Sequence, residues 1–177
     1  GVFRDPADQI KLAEKFYPDD PQYETFVKRQ MNLINEMNDD QKIDYFAMLT
    51  RSFLYTEMDE HLYLKLAKFL SMCTPGELRF IRDVRYEDKV GNSMMAASVY
   101  QYGLLMVEYQ QDGTPLFVLS DFGKALKQNS LNFDDGIKGQ KRIVSYDSMT
   151  PAALQGIATS EDIDKLFQNQ DLILDGG

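Results

Sequence analysis

His61 and Cys73 are the residues best suited to nucleophilic or metal chemistry, and each is the only one of its type in the chain. They lie twelve residues apart on one predicted helix, which disfavours a Cys–His dyad. His61, beside Glu60 and near Asp59, has the residue type of a general base or metal ligand. The plainer reading is a partly exposed helical residue interacting with a neighbouring acid. A zinc site built on one histidine and one cysteine would need carboxylates for most of its ligands. Carboxylate pairs occur at Asp19-Asp20, Asp39-Asp40, Asp59-Glu60 and Asp134-Asp135. Such pairs serve magnesium sites and glycoside hydrolysis. The first three fall at predicted helix N-termini, where a negative charge is favoured by about 0.3–1 kcal/mol, and that placement accounts for them. Asp134-Asp135-Gly136 lies in a loop but lacks the alternating oxygen ligands of a calcium loop.

Other sources of chemistry are absent or weak. The sequence has no phosphate loop, dinucleotide glycine pattern, nucleophile elbow or zincin helix. Gly136-Ile137-Lys138-Gly139 has the spacing of a nucleic-acid clamp but lacks the flanking helix and strand. The expectation is a non-enzymatic protein with no catalytic residue, no metal and no cofactor. A carboxylate-based, metal-dependent enzyme is the second alternative.

The elements that would position these residues are mostly helices. A first helix is expected over 5–17, capped by Asp5 with Pro6 at its start. Asp20-Pro21 repeats that signal and opens a second helix to about Asn38, with Tyr23, Phe26, Val27, Gln30, Leu33, Ile34 and Met37 on one stripe. Helices over 40–56 and 59–72 are dense enough in large apolar residues to pack on two sides. Thr74-Pro75-Gly76-Glu77 carries a capping box with proline at the first helical position and opens a helix expected to reach about residue 88. Its Leu78, Phe80, Ile81 and Val84 would face inward, with Arg79, Arg82 and Arg85 sharing another face. A helix over 93–102 ends at Gly103. Leu104–Tyr109 and Pro115–Leu119 read as a hairpin around an Asp112-Gly113 turn. Ser120 caps a last helix, DFGKALKQ. Beyond Asn129 the chain reads as a polar loop, an edge strand over 142–146, a short turn after Thr150 and a helix over 160–169.

The expected fold is therefore mainly α with a small β-hairpin wing. A helical N-terminal layer (1–58) packs on a winged-helix-like module (59–128), followed by a polar loop and short C-terminal helices (129–177) within the same domain. The formal net charge of −9 repels nucleic acid and anionic lipid on average. A single cysteine fits a reducing compartment. No apolar run approaches the roughly 20 residues that span a bilayer. A cytoplasmic protein is expected, although an opening Gly1-Val2 rather than Met leaves a removed leader or anchor open.

Residues 59–128 resemble the winged helix-turn-helix superfamily. The likeness rests on Thr-Pro-Gly-Glu-Leu (74–78) opening one helix, Tyr-Gly-Leu-Leu (102–105) closing the next, the hairpin, and Leu-Ser-Asp-Phe-Gly-Lys-Ala-Leu (119–126). The helical lead-in, Gly-Leu-Leu and Ser-x-Phe-Gly-Lys also resemble, more faintly, the abortive-infection alpha type of phage-associated proteins. The winged-helix resemblance implies DNA binding through the third helix and the wing. Here that helix, Ser93–Tyr102, has no Lys or Arg, and the wing tip Gln110-Gln111-Asp112-Gly113 is acidic. Duplex binding usually needs several basic phosphate contacts. The expected function is consequently protein–protein contact or self-association, with a protein partner or second copy. Met94, Met95, Val99, Tyr100 and Tyr102 form the candidate surface, because loss of charge with gain of Met and Tyr marks interface cores. Filling of the core by Met94, Met95 and Met106 is the plainer reading of the methionines. The first alternative is a DNA-binding regulator using Arg79, Arg82, Arg85 and Lys89.

Overall fold

The computed structural model describes Lys15, residues 21–133 and residues 141–150. Its elements are α1 (Pro21–Glu36), α2 (Asp40–Tyr55), α3 (Glu60–Met72), α4 (Pro75–Asp83), α5 (Met94–Gln101), β1 (Leu105–Tyr109), β2 (Pro115–Leu119) and α6 (Asp121–Leu126). A π-helical turn, Lys127–Leu131, follows directly. The protein is mainly helical with one small antiparallel hairpin, as expected. The expected helices over 5–17 and 160–169, and the turn beyond Thr150, lie outside the described residues.

Local signals set most helix starts. Asp39, Asp59, Thr74, Ser93 and Ser120 each place a side-chain oxygen on the backbone N–H groups that open α2, α3, α4, α5 and α6. The Thr74–Glu77 capping box closes in both directions, at 3.1 and 2.7 Å. Gly103 and Gly113 take positive φ of 82° and 85°, at the end of α5 and in the hairpin turn, where a side chain would be strained. In the hairpin Leu105 pairs with Leu119 and Tyr109 with Pro115. Val90, between α4 and α5, adds an isolated bridge to Phe117 on the other edge of β2.

One hydrophobic core runs from Phe26 in α1 to Leu131. Tyr63 lies at its centre among the rings of Phe26, Phe46 and Phe53, with the Phe53 ring 4.5 Å away. Its buried hydroxyl meets Gln30 Nε2 and Thr50 Oγ1 at 2.8 and 2.9 Å, so a phenol can sit in an apolar interior. Burial, opposed by those two bonds, raises its pKa well above the usual tyrosine range.

Three elements differ from expectation. α4 ends at Asp83 rather than near 88, because Lys127 reaches across from the π-helical turn and donates to the carbonyls of Arg82 and Val84. A cation on a helix's last carbonyls satisfies them and complements the dipole there. The helix that Ser120 caps stops at Leu126, and its expected continuation becomes the π-helical turn, closed by Asn132 N–H to Lys127 O at 2.9 Å. Residues 142–146 form no strand ladder, and this segment is held instead by Gln128, Asn129 and Asp59, the last through its backbone N–H and its carboxylate. Met72, the last residue of α3, is exposed.

Gly123 makes a close approach possible. Leu104 O accepts from Ser120 N–H at 3.1 Å, and Ser120 Oγ donates to Gly103 O at 2.6 Å, pinning the start of α6 to the α5–β1 junction. A Cβ at Gly123 would lie 2.2 Å from Leu104 O. Gly123→Ala is therefore expected to destabilise the protein by about 1–3 kcal/mol or more, read as a lower urea midpoint. The helix-propensity gain of Ala over Gly, about 1 kcal/mol, would appear instead if this contact were slack.

Candidate functional site

α5 carries an uncharged exposed surface. Residues 90–107 contain no Asp, Glu, Lys, Arg or His. Met94 is 88% exposed and Tyr100 45% exposed, with Met95 also exposed. Core filling is thus the wrong reading for Met94. Ala96 and Val99 turn inward onto the core. Val99, with no exposed surface, cannot belong to the contact face to which the sequence assigned it. Tyr102 is half-buried and donates to Glu77 Oε1 at 3.3 Å. The face reduces to Met94, Met95 and Tyr100, with Tyr100 braced by the Phe117 ring at 5.5 Å.

A buried charge lies behind this uncharged helix. Glu77 is almost fully buried. Its carboxylate accepts from Ser98 Oγ, Tyr102 Oη and Thr74 N–H. Burial alone would raise its pKa; the bonds from Ser98, Thr74 and Tyr102 outweigh that and hold the carboxyl below the usual range. Glu77 thus fixes α5 against the start of α4.

The basic residues form no single stripe. Arg79 and Arg82 lie on α4, but Arg85 falls beyond its end, where its N–H meets Asp88 Oδ2 at 3.1 Å. Arg79 donates to Gln41 Oε1 at 3.3 Å. Arg82 pairs with Asp83 at 3.1 Å and also meets Tyr45 Oη. Lys89 pairs with Glu108 of β1 at 3.2 Å. Lys127 is only 4% exposed.

The chemically suggestive residues have structural partners. His61 stacks flat on Tyr146, with ring centroids 3.9 Å apart and planes at 13°. Cys73 is buried, and burial followed by the Glu77 charge pushes its thiol well above the usual range, which suppresses the reactive thiolate. Asp39 and Asp59 are helix caps. Asp19-Asp20 and Asp134-Asp135 lie outside the described residues. Among the described residues no three His, Cys, Asp or Glu side chains gather as metal ligands, and no helix is long and apolar enough to cross a membrane. Lys15 donates to the carbonyls of Phe53 and Met58, and burial, offset by Asp59, lowers its pKa to about 8. An open cleft between the starts of α1 and α3 is lined by Pro21, Gln22, Thr25, Arg29 and Glu60, and the 2.7 Å Arg29–Glu60 ion pair occupies its charged groups.

Sequence reasoning passed over Gln128, Asn129 and Arg142, because they read as the end of the DFGKALKQ helix, the start of a polar loop and the start of an edge strand. The only available signal was Lys-Gln-Asn-Ser directly continuing a helical pattern. Comparison with family models, curated proteins and solved structures finds no match to this chain.

Glu77 yields a test with a defined sign. Its folded pKa is depressed, so its contribution is complete above the unfolded value of about 4.3 and is lost as the pH falls through the folded value. Glu77→Gln is expected to lower stability at neutral pH by about 1.5–3 kcal/mol. The gap from wild type should close under acid, checked by urea unfolding at a series of pH values. A gap that widened under acid would contradict the assignment.

Proposed function

We propose that the protein is a non-catalytic association module, in which the α3–α6 unit is a winged-helix-type scaffold and α5 is the contact element. The observation carrying this reading is the exposed surface of Met94, Met95 and Tyr100 on a helix whose flanking sequence, residues 90–107, lacks charge. In a protein with 27% charged residues, such a helix face is poorly suited to water and well suited to another apolar surface. Methionine adapts to the shape of a partner, and tyrosine contributes contact area at little entropy cost. The same absence of cations weakens the case for duplex binding, which depends on basic phosphate contacts. Of the cations that a DNA-binding reading would use, Arg82 pairs with Asp83 and Lys89 with Glu108.

Met94→Glu separates association from folding. Met94 is so exposed that the substitution should change stability by no more than about 0.5 kcal/mol. It should nevertheless abolish concentration-dependent self-association in sedimentation velocity. For a heterologous partner, it should abolish cross-linking from a photoreactive residue placed at Tyr100. Wild-type protein that stays monomeric at high concentration and cross-links no more at position 100 than at the exposed control position Met31 would contradict the proposal.

A further inference from the structure

Residues 141–146 belong to no helix or strand, and no strand pairs with them. The Gln128 amide and the backbone N–H and carboxylate of Asp59 take the place of a paired strand. Gln128 Nε2 donates to Lys141 O at 3.1 Å, and Gln128 Oε1 accepts from Ile143 N–H at 3.0 Å. One amide thus grips the carbonyl before Arg142 and the N–H after it, the pattern by which a parallel strand brackets its neighbour. Asp59 repeats this three residues later: its N–H donates to Val144 O at 2.9 Å, and its Oδ2 accepts from Tyr146 N–H at 2.7 Å. This second clamp brackets Ser145. Between them Asn129 Nδ2 donates to Ile143 O at 2.9 Å.

Side chains supply selectivity on top of this backbone recognition. The Arg142 guanidinium returns to Gln128 O and Asn129 Oδ1. Ile143, Val144 and Tyr146 pack against the core, and Tyr146 lies on the His61 ring. Asp59 Oδ1 is meanwhile occupied in capping Leu62 N–H at 2.7 Å. The clamp therefore stands on the fixed end of α3, while Gln128 and Asn129 stand on a buried turn. Both grips belong to the body of the protein and not to the segment they hold.

The geometry points to a strand receptor: Asp59, Gln128 and Asn129 form a binding site for an extended peptide of the pattern Arg-Ile-Val-x-Tyr, which this chain fills with its own residues 142–146. This is independent of the proposed α5 contact. Backbone groups bracketed in alternation and apolar side chains seated beneath are the features by which sheet edges capture peptides; here the edge is made of the Gln128 amide and the N–H and carboxylate of Asp59. An occupant tethered through the chain has an effective concentration on the order of millimolar, so a free peptide gains access only once the tethered copy is weakened.

The experiment uses the full chain and a labelled peptide with the sequence of residues 141–150, KRIVSYDSMT. The double variant Ile143→Asp, Tyr146→Asp should release the tethered copy and bind the peptide at least roughly tenfold more tightly than wild type, because the competent state is no longer self-occupied. Methylation of the peptide nitrogen at its isoleucine, which removes the hydrogen donated to Gln128, should abolish that gain. A folded double variant that binds no better than wild type, or that binds the methylated peptide equally well, overturns the proposal. Should the double variant fail to fold, amide exchange in the wild type decides. The Ile143 and Tyr146 amides are expected to exchange through local opening, about a hundredfold faster than those of Leu66 and Leu70 in α3. Exchange at the same rate as α3 would make the segment an inseparable part of the core and overturn the proposal.

Discussion

The structure depends on a polar turn buried where an apolar one would be expected. Lys127, Gln128, Asn129 and Ser130 are all buried, and a buried polar group without a partner costs about 1–3 kcal/mol. Each side chain therefore has to find a partner, and the partners belong to different elements. Lys127 takes the last carbonyls of α4. Ser130 Oγ donates to Tyr45 O in α2 at 2.7 Å. Asn129 accepts from Ser52 Oγ of α2 at 2.7 Å while donating to Ala125 O and Ile143 O. Satisfying one turn thus fixes the end of α4, the side of α2 and the path of residues 141–146. A π-helical turn suits this task, since its extra residue reorients successive side chains.

Burial and exposure are inverted between this turn and α5. The turn places amides and an ammonium in the interior, where every bond strengthens in the low dielectric. α5 places methionine and tyrosine in water while the Glu77 carboxylate bonded to its Ser98 stays inside. An exposed apolar helix held by an internal polar network has a defined shape before any partner arrives. Such preorganisation reduces the ordering cost of binding, which is the physical basis for reading α5 as an association surface.

Local chemistry was legible in the sequence, and long-range chemistry was not. The caps at Asp39, Asp59, Thr74, Ser93 and Ser120, the glycines at 103 and 113 and the hairpin all follow from neighbouring residues, and their elements begin within a residue of expectation. The end of α4 depends on Lys127, more than forty residues away in sequence. The exposed surface was only partly legible: absence of charge marked α5, but periodicity over so short a helix did not place Val99 inside and Met94 outside. Residues 142–146 read as an edge strand and form none, because nothing local reveals that the Gln128 amide and the N–H and carboxylate of Asp59 hold them instead of a neighbouring strand. Asp59 was legible as a cap and illegible as a clamp, since its second oxygen serves a residue that only folding brings near.

Equilibrium unfolding of Asn129→Leu tests most directly whether the buried turn joins these elements. Leucine matches asparagine in size and removes the four hydrogen bonds that Asn129 makes with Ser52, Ala125, Arg142 and Ile143. The account predicts a loss of several kcal/mol, on the scale of about 1–3 kcal/mol for each buried group left unpaired, with amide shifts changed in α2 and in residues 141–146 together. Stability within about 0.5 kcal/mol of wild type, with shift changes confined to the turn itself, would contradict it.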